Sequence, residues 1–191
     1  MTSDNVYQLR DDLPAPPDDG AARHLSGTAL PDLDLPATNG AGVSLAQLTA
    51  RTVVYCYPRT GRSGEELPPG WNEIPGARGC TPQACAFRDH HNELQRAGAH
   101  VYGLSTQSIE DQREVVDRLH LPFPLLSDAS YHLCDALRLP TFEVEGMRLL
   151  KRLTMIIESG KIDHVFYPVF PPDRHAEEVL NWLGGIRREG A

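Results

Sequence analysis

The sequence predicts an α/β sandwich around a central mixed β-sheet, and three observations predict it. Strand-like apolar runs alternate with helical segments through the middle of the chain. A strong hairpin followed by a helix closes it. The length of 191 residues suits one compact domain. With 40% hydrophobic and 23% charged residues, the chain can bury a core, and wholesale disorder is excluded. Lys+Arg 18 against Asp+Glu 26 leaves a net charge of −8, which argues against a nucleic-acid surface. No apolar run approaches the ~18 residues of a membrane span. The N-terminus lacks both a basic start and an apolar stretch, so no secretory signal is read there. The four cysteines are therefore assigned to a reducing compartment, the cytoplasm, where catalytic, metal-binding or idle roles outrank structural staples.

Each element has its own warrant. Residues 1–24 hold five Asp, two Arg and three Pro and few large apolar side chains, and are read as a mobile or loosely docked acidic arm. The single domain is placed at 25–191. "LPDLDLPATNGAGVSL" alternates around Asn39-Gly40, a hairpin signal, and "SLAQL" (44–48) offers one helical turn. "RTVVYCYP" (51–58) is β-branched and aromatic, a buried strand. From Pro58 to Gly79 run 22 residues with five Gly, four Pro and no periodicity. A loop that long inside a compact domain is uncommon and is usually functional or disordered. "TPQACAFRDHHNELQRAG" (81–98) predicts a helix, with Cys80 or Thr81 as N-cap, Pro82 at its first position and Gly98 as its stop. Strands follow at 99–106 and 123–128, with an amphipathic helix at 108–121 between them and a short helix at 130–139 after them. Residues 152–169 form a hairpin turning at Glu158-Ser159-Gly160-Lys161, and 173–186 form the last helix.

The informative segment is "GARGCTPQACAFRD" (76–89). Cys80 lies where the long loop meets a helix N-terminus, whose unpaired N–H groups and positive dipole end favour a thiolate. Arg78 adds to this if its side chain turns inward. That is the environment of a nucleophile rather than of a core residue. Cys85 follows five residues later. On one ideal helix the two Cα atoms would lie roughly 8–9 Å apart. A disulfide needs at most ~7 Å, so a bond between them requires the first turn or more to unwind. Two idle thiols in one helix are the alternative. Cys56 reads as a buried strand thiol and Cys134 as a helix core residue, with a resolving role for Cys134 as the outside case. The eight histidines show no ligand spacing; His90 and His91 are adjacent and point about 100° apart on a helix. No metal or other cofactor is expected, and no GxxxxGK[ST] phosphate loop is present.

The ordered series "VVYCYP", "GCTPQACAFRD", "LPFPLLSD" and "RLTMIIESGKI" resembles the Q-type peroxiredoxins, the bacterioferritin-comigratory group, over about Leu30 to Leu183. The resemblance implies a thioredoxin-like fold and a thiol-dependent peroxidase of the atypical two-cysteine kind, acting on hydrogen peroxide or organic hydroperoxides. It implies a peroxidatic cysteine at Cys80, a resolving cysteine at Cys85, and a Cys80–Cys85 redox disulfide. It also implies an arginine at Arg152 that steadies the thiolate and the peroxide oxygens. Thioredoxin or a similar dithiol would be the reductant, and a monomer or weak homodimer the assembly.

One departure stands out. The family places Pro-x-x-x-Thr/Ser-x-x-Cys before the nucleophile, but here the hydroxyl position is Ala77 and the proline position Glu73. Either Pro58 and Thr60 fold back against Cys80 while an insertion at about 59–78 loops out, or the hydroxyl is lost. The first is the expectation. The insertion is read equally as a lid or partner surface anchored by Trp71 and as a passive excursion. Two rivals remain on the same fold: a redox sensor with weak turnover, and a thiol–disulfide exchange protein, against which the absence of a CxxC motif weighs.

Overall fold

A computed structural model describes residues 7–62 and 64–189, with side chains described through Gly185. The first six residues of the arm and Ser63 of the insertion lie outside the described residues. In chain order the elements begin with β1 (Asp34–Pro36) and β2 (Gly42–Ser44), the hairpin expected around Asn39-Gly40. Next come β3 (Thr52–Cys56), α1 (Cys80–Asp89), α2 (His91–Arg96), β4 (His100–Ser105), α3 (Ile109–Leu119), β5 (Leu125–Ser127) and α4 (His132–Leu137). A small hairpin, β6 (Thr141–Val144) and β7 (Met147–Leu150), precedes β8 (Leu153–Glu158), β9 (Lys161–Phe166) and α5 (His175–Glu189).

The main sheet runs β5-β4-β3-β8-β9. β3 is parallel to β4 and antiparallel to β8, so the sheet is mixed, as expected. Period-2 alternation makes β3 the shared wall of two cores. Val53, Tyr55 and Tyr57 face a core with Phe87 of α1, Val115 of α3 and Val179 of α5. Val54 and Cys56 face the other, with Leu133 and Cys134 of α4 and with Leu25, Leu35 and Leu45. Tyr55 stacks on Phe87 with ring centroids 4.5 Å apart and planes 6° apart, which fixes α1 over the sheet. Gly103 makes room for that stack: a Cβ there would lie 2.8 Å from the Tyr55 ring and 2.5 Å from Leu125.

Two expectations need correction. The helix read over 81–98 is broken at His90 into α1 and α2. It starts one residue early: Gly79 is the N-cap, Cys80 the first helical residue, and Pro82 the third rather than the first. The proline is tolerated there because the first four N–H groups of a helix have no internal partner. The β6–β7 hairpin was not expected, because "TFEVEGMRLL" (141–150) is short and carries no Asn-Gly or Asp-Gly turn.

α5 starts at His175, which is fully buried and bonded on both ring nitrogens, to Glu178 Oε2 and Thr154 Oγ1, each at 2.8 Å. Burial holds its proton affinity below the usual histidine range, and Glu178 only partly offsets this. Well above pH 6.5, from about pH 7.5 upward, the ring is neutral in folded and unfolded chains alike and adds no pH dependence; as pH falls through about 6.5 the unfolded chain takes up the proton first and stability is lost. The urea midpoint of His175→Gln should therefore fall less steeply than that of the natural chain between about pH 7.5 and 5.5. Equal slopes would show that the ring titrates alike in both states.

Candidate active site

Cys80 takes its position from the turn before it. Gly79 has φ 107°, which other residues adopt only with strain, and a Cβ there would lie 2.5 Å from the Pro172 ring and 2.8 Å from Leu9. The chain therefore reverses sharply at Gly79 and enters α1 with Cys80 only 6% exposed. No side chain caps this helix start. Its first N–H groups keep their hydrogen-bonding capacity, and its dipole end lies beside the sulfur.

Arg152, just before β8, reaches the same point. It is 3% exposed. Its Nη2 lies 3.2 Å from Cys80 Sγ and donates toward the carbonyls of Gly76, Ala77 and Arg78 at 3.2–3.3 Å. Nη1 donates to Gln83 Oε1 on α1. Cys80 Sγ in turn lies 3.7 Å from the Ala77 carbonyl. Among the described residues, no carboxylate bonds this guanidinium. Burial keeps the neighbouring Tyr55 and Tyr57 phenols un-ionised, so they supply no competing anion.

A cleft of about 160 Å³ opens onto Cys80, lined among others by Thr60, Trp71, Arg78 and Pro82. Thr60 and Cys80, twenty positions apart, share this cleft. Pro58 is buried at the end of β3 and is not among the lining residues. Gln107 holds the Thr60 segment by both backbone groups, accepting from Thr60 N–H at 2.7 Å and donating to Thr60 O at 3.0 Å. Ala77, at the family's hydroxyl position, contributes only its carbonyl. Arg78 does turn inward: it is buried, lines the cleft and donates to Asn72 Oδ1.

Cys85 is partly exposed on the same helix, five residues beyond Cys80, and all four cysteines are free thiols. Burial pushes the Cys85 thiol up, and Arg88 pulls part of the way back. Burial also raises Cys134, to about 11, and raises Cys56 further, consistent with core residues.

Gln83 and Gln107 were not singled out from the sequence. Gln83 left a trace, a fully buried amide on the apolar face that also carries Cys80, Ala84 and Phe87. Gln107 left none; "STQS" after a strand reads as an ordinary polar loop.

The Redoxin family model matches residues 25–180. The chain belongs to the redoxin family. It is similar to Peroxiredoxin Bcp of Escherichia coli, with 32% identity over 83% of this chain and 94% of that one. It is also similar to the chloroplastic Peroxiredoxin Q of Oryza sativa subsp. japonica, with 31% identity over 84% and 67%. In solved structures this redoxin resembles Peroxidoxin BcpB of Mycobacterium tuberculosis, with TM-score 0.66, 26% identity, and 85% and 97% coverage. It also resembles the bacterioferritin comigratory protein of Xanthomonas campestris, described for its alkyl peroxide reduction activity, with TM-score 0.63, 25% identity, and 83% and 98% coverage. By these relatives the redoxin is a peroxiredoxin, and its mixed sheet flanked by helices is the thioredoxin-like sandwich.

Replacing the guanidinium exposes what it satisfies. Arg152→Met would leave the carbonyls at 76–78 and Gln83 Oε1 without their donor, and the unfolding free energy should drop by about 1–3 kcal/mol. Urea titration of the reduced protein measures this. A gain in stability would mean that apolar packing outweighs the donor set at this point.

Proposed function

We propose that this peroxiredoxin is a thiol-dependent peroxidase in which Cys80 attacks the peroxide and Cys85 resolves the product. The observation that carries the reading is the buried guanidinium of Arg152, 3.2 Å from Cys80 Sγ and otherwise bonded to neutral acceptors. A buried cation without an anion is costly, and charge on Sγ is the charge that this set lacks.

The thiolate attacks one oxygen of a hydroperoxide. An S–O bond forms, the O–O bond breaks, and the other oxygen leaves with its electron pair and takes a proton to become water or an alcohol. Charge moves onto that leaving oxygen, so donors fixed around it lower the barrier. Arg152, the first N–H groups of α1 and the Thr60 hydroxyl are the donors assigned here. The Cys85 thiol then condenses with the Cys80 sulfenic acid, forming the disulfide and releasing water. A dithiol, thioredoxin or a similar donor, reduces that disulfide by exchange and is itself oxidised.

Both cysteines sit in α1, so the disulfide requires at least the first turn to unwind. The resolving step is thus intramolecular and needs no second subunit, which suits a monomer or weak homodimer. The resting thiols must stay reduced between turnovers, and on that ground the protein is placed in the cytoplasm.

Cys80→Ser should abolish peroxide consumption. Cys85→Ser should react once and stop as the sulfenic acid, trapped by dimedone and read by peptide mass. Sustained turnover of the Cys85 variant would assign the resolving step to Cys134 or to an external thiol. Thr60→Val should slow oxidation of Cys80 by about 10²-fold in stopped flow, with Thr60→Ser near the natural rate. An unchanged rate in Thr60→Val would remove the hydroxyl from the mechanism.

A further inference from the structure

The N-terminal arm lies outside the matched family region, yet it reaches the cleft. Tyr7 lines the opening onto Cys80, and its phenol oxygen bonds the Arg118 guanidinium. Arg118 is fixed across that opening, 2.7 Å from Glu114 of α3 and 3.0 Å from the Gly61 carbonyl. The arm behind Tyr7 is pinned along its length. Leu9 rests on Gly79, and Pro16 rests on Gly76. Asp19 closes the arm against Lys151 at 2.6 Å and the Tyr167 hydroxyl at 2.7 Å, contacts that hold its carboxyl well below the usual range. The Tyr7 ring is thus held at its tip by Arg118 and carried by an arm docked at Leu9, Pro16 and Asp19, with 53% of the residue still open to solvent.

We propose that Tyr7 is a specificity-determining residue: its ring is the outer wall of the cleft and sets the width of hydroperoxide that reaches Cys80. The proposal rests on the assignment of Cys80 as the peroxide-reactive thiol. The lining also includes Thr60, Trp71 and Pro82, all buried. Trp71 packs into its own apolar cluster, and Pro82 is fixed in α1. Tyr7 shares the solvent side of the cleft with the exposed loop residues Arg62, Gly64 and Glu65, and it is the aromatic ring on that side. Hydrogen peroxide and short alkyl hydroperoxides pass beside the ring. Branched aryl hydroperoxides meet it.

The test uses the full chain with Tyr7→Ala and Tyr7→Phe, the latter keeping the ring without its hydroxyl. One readout is the pair of second-order rate constants for Cys80 oxidation by hydrogen peroxide and by cumene hydroperoxide. The other is the pair of alkylation rates of reduced Cys80 by iodoacetamide and by fluorescein maleimide, located by peptide mass. In Tyr7→Ala both bulky-to-small ratios should rise about tenfold, the equivalent of removing ~1.4 kcal/mol of steric barrier. Tyr7→Phe should keep the natural ratios. Unchanged ratios in Tyr7→Ala overturn the proposal, as does a rise in the alkylation ratio alone while the peroxide ratio stays constant. If the natural chain fails to react with either peroxide, the peroxidase reading falls. The alkylation ratio then still decides whether Tyr7 walls the cleft.

Discussion

A buried guanidinium with neutral partners is the constraint on which the rest of this structure depends. Taking one charge out of water costs several kcal/mol, and neutral hydrogen bonds recover only part of that. Three successive carbonyls, at Gly76, Ala77 and Arg78, must therefore converge on Arg152, along with Gln83 Oε1. Backbone carbonyls of consecutive residues converge only where the chain curls tightly. Gly76 at φ 79° and Gly79 at φ 107° supply that curl. The sheet sets where the cation stands. Leu153, next to Arg152, pairs with Cys56 at the end of β3, so the arginine arrives where β3 hands the chain to the loop leading to α1. Sheet, loop and helix start are thus tied at one atom, Nη2, and Cys80 Sγ is the fourth group within its reach.

This tie divides α1 into two parts held by different forces. Its second half is anchored by packing: Ala84 and Phe87 are buried, and Phe87 stacks on Tyr55. Its first turn is held by Arg152, by Gln83, and by the contacts of Gly79 with Pro172 and Leu9. Polar contacts at a helix end open at lower free energy than a stacked core, so unwinding from the N-terminus is the local opening this fold favours. The direction matters for chemistry. Opening that end takes Cys80 out of reach of the Arg152 guanidinium. In the proposed cycle, the arrangement suited to attack on peroxide and the one suited to the disulfide would therefore exclude each other.

The mixed α/β sandwich, the placement of Cys80 at a loop–helix junction and the core burial of Cys56 and Cys134 were legible in the sequence, because each rests on a local pattern. "VVYCY" is a continuous β-branched and aromatic run, the mark of a buried strand, and a Gly followed by Cys-Thr-Pro marks a helix start. The break at His90 was not legible. "RDHHNEL" contains no Gly or Pro, and the helix-compatible run hides a change of axis that tertiary packing imposes. Gln107 was equally hidden, since its role depends on a contact with Thr60 across 47 positions. The arm, read as mobile or loosely docked, was legible only in part. Its acidic, proline-containing composition describes a segment unable to build a core of its own, but says nothing of a ready-made surface to lie on, such as Gly79, Gly76 and Lys151.

The insertion raises the question of how a site survives having its motif pulled apart. The entropic penalty is small: each doubling of a flexible loop adds only about 0.6 kcal/mol, so growing from a few residues to about twenty adds ~1–2 kcal/mol. The insertion recovers at least that amount within itself. Trp71 is buried with Ala77 and Leu149, and its ring lies 6.2 Å from Phe142 of the β6–β7 hairpin. Burying one large side chain contributes about 1.5–3 kcal/mol. The two ends of the loop need no help from its middle. Thr60 is fixed by Gln107 at one end, and residues 76–79 by Arg152 at the other. Because the anchors are the tertiary partners rather than sequence spacing, the residues between them are free to lengthen without moving Thr60 or Cys80. Thr60, twenty positions from Cys80, is thus held at the same cleft as the sulfur, which is the geometry the proposed role of its hydroxyl needs.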